Sequence, residues 1–175
     1  MPSAESLRME RAKGESGQAI VLMALFLSLV GLAIVGTVLD FGLLAARNSA
    51  ADAAAYLGAQ AGGGMINSKA FEVSGQLRLV GISGGACTEV GTEPLVGSCW
   101  QGGTLTAAGT CATVSGQNDP VPTARVTCVQ RGLMVTATVQ QTVTFPVTVF
   151  GVGGKVKSTR QAGPTYGTSH TIVIS

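Results

Sequence analysis

The 175-residue sequence is short of charge, of aromatic rings and of histidine. Only 11% of its residues are Asp, Glu, Lys or Arg, against about 25% in ordinary soluble domains. Eleven basic and nine acidic residues leave a formal net charge of +2. That balance excludes a strongly basic nucleic-acid binder and a coiled coil faced with ion pairs. Aromatic residues make up 5%, and His170 is the single histidine. Cysteine is missing from the first 86 residues. Mean hydropathy is positive, which excludes a disordered charged tail.

Catalytic constellations are missing as well. His170 stands beside Ser169 close to the end of the sequence, without an acidic neighbour. Glu89 and Glu93 are near enough in sequence to pair, but the surrounding Gly, Thr and Pro read as a solvated loop. Residues 151–158, GVGGKVKS, approach a phosphate loop, yet Val156 follows Lys155 where Ser or Thr is required. Asp40-Phe41-Gly42 matches three letters of a kinase signature with no other kinase element nearby. The sequence reads as a non-enzyme that uses no cofactor and no metal.

What is present is unevenly distributed. Residues 1–17 carry six charges, Glu5, Arg8, Glu10, Arg11, Lys13 and Glu15. Residues 19–39 then run AIVLMALFLSLVGLAIVGTVL with no charge, ended by Asp40. Twenty-one helical residues span roughly 31 Å, the thickness of a bilayer's hydrocarbon core. A cleaved secretory signal would be shorter, and the next A-x-A pattern, Ala59 to Ala61, lies some twenty residues further on. Arg8, Arg11 and Lys13 before the span against Arg47 after it place the N-terminus inside. Residues 40–61 are alanine-rich and extend the helix to the breaker Gly62-Gly63-Gly64. Small residues at four-residue spacing, Ala24/Ser28, Ala33/Thr37, Gly42/Ala46 and Ala50/Ala54, suit close helix packing.

Beyond residue 64 the pattern changes to Val, Thr and Gly. Residues 135–150, VTATVQQTVTFPVTVF, alternate apolar side chains with Thr and Gln, the period of a strand with one buried face. Pro146 makes this an edge strand, a bulged strand or two strands. Further strands are expected at 76–82, 104–114, 123–131, 154–161 and 169–174. Turns are expected at Gly84-Gly85, Gly102-Gly103, Asn118-Asp119-Pro120 and Gly153-Gly154. Cys87, Cys99, Cys111 and Cys128 all fall in this segment. Their spacings do not suit zinc. Four cysteines allow three pairings. Pairing in order, Cys87–Cys99 and Cys111–Cys128, is favoured; the second bridge would join strands CATV and RVTC. Closed loops of 13 and 18 residues would each add about 3 kcal/mol. Disulfides require an oxidising compartment, in agreement with the orientation drawn from Arg and Lys.

The fold class expected is therefore α+β: a charged leader over 1–17, a transmembrane and Ala-rich helix over 18–61, and a disulfide-stapled, mostly antiparallel β domain over 62–175. The start Gly17-Gln18-Ala19, the apolar span, the exit Asp40-Phe41-Gly42 and the run Asn48-Ser49-Ala50-Ala51-Asp52-Ala53-Ala54-Ala55 together resemble the TadE/TadG-like proteins of bacterial tight-adherence pili. Residues 135–160, with Phe150-Gly151, are loosely similar to the family's end.

That resemblance implies a pseudopilin-like component of a Tad-type pilus or related secretion system. It would sit in the inner membrane with a periplasmic or extracellular C-terminal domain, or be incorporated in a surface pilus. Its implied partners are the lipid bilayer, other pilin or pseudopilin subunits in a homo- or hetero-oligomer, and the assembly platform, all met through the N-terminal helix; nucleic acid is not among them. Asp40, Phe41, Gly42 and Asp52 become the expected helix-packing residues, and Gly17-Gln18 the candidate processing site. Processed pseudopilins carry Glu five residues into the mature chain. Here that position is Leu22 counting from Gly17 or Ala19 counting from Gly14, which favours an uncleaved anchor. The alternative is a membrane-tethered adhesin or receptor binding through loops of 84–122. In it Trp100 is either an exposed contact or, as expected, packed on the Cys99 disulfide.

Overall fold

The computed structural model describes residues 4–145, 153–164 and 172–174, with side chains over 18–145 and 153–164. Helix α1 runs from Ala4 to Gly63. It starts well before Gly17, because nothing between Ala4 and the apolar run interrupts the helical hydrogen bonds and the leader's Glu, Arg, Lys and Met are good helix formers. The chain forms two compact units, one built on residues up to Gly42 and one on Leu43–Phe145 with Gly151–Ser175.

In the first unit, α1 turns its apolar residues outward. Ile20, Leu22, Phe26, Leu32, Val38 and Phe41 are all largely exposed. The hydroxyls in this stretch are satisfied within the helix: Ser28 donates to the Ala24 carbonyl at 2.8 Å and Thr37 to the Ala33 carbonyl. The stretch from Gln18 is long and apolar enough to cross a membrane.

In the second unit, a six-stranded antiparallel sheet has the order β2-β1-β5-β6-β7-β8, with β1 Ala86–Val90, β2 Val96–Gly97, β5 Arg125–Arg131, β6 Met134–Thr144, β7 Gly153–Gly163 and β8 Ile172–Ile174. A separate hairpin pairs β3 (Trp100–Gln101) with β4 (Thr104–Leu105). Gly102 and Gly103 both have positive φ there, as a two-residue type I′ turn demands. Helix α2 (Ser68–Ser74) is capped by Asn67, which accepts from the Ala70 N–H at 3.0 Å. Helix α3 (Ala107–Asn118) is capped by Thr106, which accepts from the Gly109 N–H at 3.1 Å.

The core lies between the inner sheet face and the two helices α1 and α3. From the sheet come Val126, Val135, Ala137, Val139, Val143 and Val156; from α1 come Ala51, Ala54, Ala55 and Ala59; from α3 come Ala107, Ala108, Cys111 and Ala112. Alternation along β6 is the one expected, Val in and Thr out. The strands expected at 123–131 and 154–161 are β5 and β7, and β8 falls within 169–174. Gly153-Gly154 opens β7 instead of forming a turn.

Two expected strands are not strands. Residues 104–114 contribute only the two residues of β4 before entering α3. The buried positions Ala107, Ala108, Cys111, Ala112 and Ser115 recur at helical spacing. This face of small residues outweighs the β preference of Thr110, Val114 and their neighbours. The CATV element is therefore helical. Residues 76–82 hold a single bridge, Ile66 to Leu79. Pro146, Phe150, Gly151, Ser169 and His170 lie outside the described residues.

Candidate functional site

The disulfides are Cys87–Cys99 and Cys111–Cys128. All four cysteines are fully buried. Cys87 and Cys128 face one another across β1 and β5, so the two bridges lie side by side on the inner sheet face. One fastens the segment after β2 to β1. The other fastens α3 to β5.

Asp40 is 9% exposed, and its Oδ1 has no hydrogen-bond partner. It stands one helical turn after Gly36, which is also buried. Phe41 and Gly42 beside it are exposed. A carboxylate oxygen shielded from water without a donor is costly. It marks the place where the apolar run gives way to the alanine-rich stretch.

Asp52 has a different setting. Ser158 Oγ donates to its Oδ1 at 2.7 Å, and Arg160 grips both oxygens, Nε to Oδ1 and a terminal nitrogen to Oδ2, each at 2.7 Å. The Arg160 guanidinium, helped by Ser158, holds the Asp52 carboxyl below the ordinary carboxylate range against the opposing effect of partial burial. The same bond raises the Arg160 pKa further. This bidentate fork ties α1 to β7 over more than a hundred residues of sequence. Asp52 thus packs against this chain's own sheet.

The alanine face of α1 has the same destination. A Cβ added at Gly62 would stand 2.6 Å from the Ala107 carbonyl oxygen and 2.8 Å from Cys111 Cβ. At Gly58 it would meet Ser115 and the Cys111 carbonyl. The short side chains expected to admit other helices admit α3, and the Ala50/Ala54 pair ends half-buried and buried in the same unit.

A cavity of about 160 Å³ opens between the end of α3 and the β1 turn, lined by Glu89, Gly91, Thr92, Gly116 and Asp119 among others. Glu89 is on strand β1, not in a loop, and burial raises its pKa. Its Oε2 is unpartnered. Asp119 is engaged: Gln141 Nε2 donates to both of its oxygens at 2.8 Å, and the Val121 N–H donates to Oδ1. Glu93 lies in the exposed turn beyond β1. Among the described residues no three of His, Cys, Asp and Glu gather as metal ligands.

Trp100 is 59% exposed, so it does not pack on the Cys99 disulfide. The β3–β4 hairpin carries it outward while Cys99, the residue before, turns inward. The alternation of two successive residues explains this: with Cys99 inward, Trp100 is the exposed one of its two alternatives. Compared with protein-family models, with curated proteins and with solved structures, the chain gave no match.

Proposed function

We propose that this chain is a membrane-anchored structural subunit of a Tad-type pilus or related secretion system, assembling through the N-terminal half of α1. The observation that carries this reading is the contrast along one helix. Its stretch from Gln18 presents apolar side chains outward, Phe26 at 64% exposure for example, whereas its Ala51, Ala54, Ala55 and Ala59 are buried in the core of the second unit. Burying a single Leu or Phe side chain is worth about 1.5–3 kcal/mol, so a run of them demands lipid or neighbouring helices. The resemblance in residues 17–19, 40–42 and 48–55 supports the pilus context, with the N-terminus inside and the second unit in an oxidising compartment suited to its two disulfides.

Asp40 is the position on which assembly turns, since its unpartnered carboxylate oxygen at the end of the apolar run awaits a donor. The test is photo-crosslinking in cells from a probe at Leu29, with Asp40→Leu as the variant. The native chain gives crosslinked oligomers; the variant gives at least about fivefold fewer, with both disulfides intact on a non-reducing gel. A native chain that crosslinks only to lipid, or a variant that crosslinks as well as the native chain, overturns the reading. Mass spectrometry of the N-terminus then separates an uncleaved anchor from a subunit starting at Gln18.

A second reading, a tethered adhesin, is favoured by the exposure of Trp100 and Val96. It expects lipid crosslinks and no oligomers in the same experiment.

A further inference from the structure

Among the described residues, the outward face of the sheet over β1, β2, β5, β6 and β7 carries charge of one sign only. Strand register aligns Val96, Thr88, Thr127, Thr138 and Thr159 in one row across β2, β1, β5, β6 and β7. The next row is Val90, Arg125, Gln140 and Lys157, and the one after it holds Thr142 and Lys155. Strands about 4.8 Å apart put Arg125 and Lys157 roughly 10 Å from one another across Gln140. Two residues along β7 put Lys155 about 7 Å from Lys157. Arg125, Gln140, Thr142, Lys155 and Lys157 are all exposed.

No acidic side chain occupies an outward position on β1, β5, β6 or β7. Among the described residues the one ion pair is Asp52–Arg160, on the inner face. Glu93, in the turn past Val90, does not reach Arg125. Beside the cations stand hydroxyls: Thr88 and Thr127 Oγ1 are 3.4 Å apart, and Thr138 and Thr159 Oγ1 are 3.2 Å apart. One such bond leaves each hydroxyl with further donor or acceptor capacity.

We propose that this face is a docking surface for an acidic polysaccharide. Three unpaired cations, Arg125, Lys155 and Lys157, without a counter-charge call for a polyanion. Rows of Thr and Gln between them call for a partner whose negative groups are separated by hydroxyls, as in a polyuronate chain. Single-stranded nucleic acid is a poorer fit, because its bases stack on aromatic rings and no ring stands at an outward position of β1, β5, β6 or β7. A lipid surface is a poorer fit, because interfacial binding buries an apolar face, and among the described side chains at outward positions of β1, β2, β5, β6 and β7 Val96, at the edge, is the only large apolar one that is exposed.

The experiment uses the full chain in non-ionic detergent, with alginate as the immobilised probe, and reads equilibrium binding by interferometry. Neutral dextran, duplex and single-stranded DNA, and phosphatidylglycerol vesicles are the comparison ligands. Alginate binds saturably and more weakly as salt rises from 50 to 200 mM, while dextran does not bind. The variant R125Q/K155Q/K157Q loses about tenfold in affinity. The variant T127V/T138V, which keeps every charge, loses about threefold. All five substitutions are at outward positions, and circular dichroism checks the fold. Should the triple variant not fold, the threonine variant and the salt series decide. The proposal is overturned if alginate does not bind, if neither variant weakens it, or if DNA or vesicles bind as tightly as alginate. Binding is read on the isolated chain, so its failure leaves the assembly reading untouched, and the reverse.

Discussion

At the scale of the residue, Asp52 has the best-defined chemistry in the molecule. Its ionised form accepts from Ser158 and, through both oxygens, from Arg160. Because its pKa is lowered in the fold, the stabilisation is fully present above the ordinary Asp value near 3.9 and is lost as pH falls through the lower folded value. Asp52→Asn is therefore expected to lower the thermal midpoint at pH 7 by roughly 1–3 °C, the modest size expected of a partly exposed pair, and by less at pH 3. Melting followed by circular dichroism checks this; an equal loss at both pH values would remove the ionic explanation. The sequence marks Asp52 out as the one charge in a run of small residues. It does not reveal Arg160, because their pairing depends on where α1 crosses β7. Glu89 makes the same point in reverse: its Gly- and Thr-rich surroundings suggest a solvated loop, yet strand pairing with β5 turns it inward beside Gly116.

At the scale of the element, the long helix and the period-two strand were legible and α3 was not. α1 needs only composition: no proline between residues 3 and 93, good helix formers and a triple glycine at its end. β6 needs only its alternation. For α3 the helical signal is present, with small residues at 107, 108, 111, 112 and 115, but a face of Ala, Cys and Ser carries little hydrophobic contrast. Its β-prone Thr and Val obscured it. The small face has a purpose: it lets α1 approach at Gly58 and Gly62. Gly62→Ala should accordingly cost about 2 kcal/mol, since its Cβ would fall 2.6 Å from a backbone oxygen that cannot move aside cheaply. Chemical denaturation measures this. A neutral effect would mean the helices separate more readily than their packing indicates.

At the scale of the whole molecule, the paired disulfides take the place of the large side chains the core lacks. The core is mostly alanine, valine and half-cystine, which bury less area per residue than Leu or Phe. Replacing Cys111 and Cys128 by Ser should lower the unfolding free energy by about 3 kcal/mol, the expectation for an 18-residue loop. The loss is read as a lower denaturant midpoint under non-reducing conditions, with Cys87–Cys99 intact. A shift no larger than that of a surface substitution would show that α3 is held by packing alone. The division into an apolar helical run and a Thr/Val sheet-forming segment is already fixed by residue order, because hydropathy and periodicity are local. Residue order also places every cysteine after residue 86. The tertiary structure alone decided that the alanine face of α1 meets α3, that Asp52 meets Arg160, that Glu89 turns inward, and that the outward cations of β5 and β7 fall into neighbouring rows. Each of these depends on register and on helix crossing, which set distances between residues far apart in the chain.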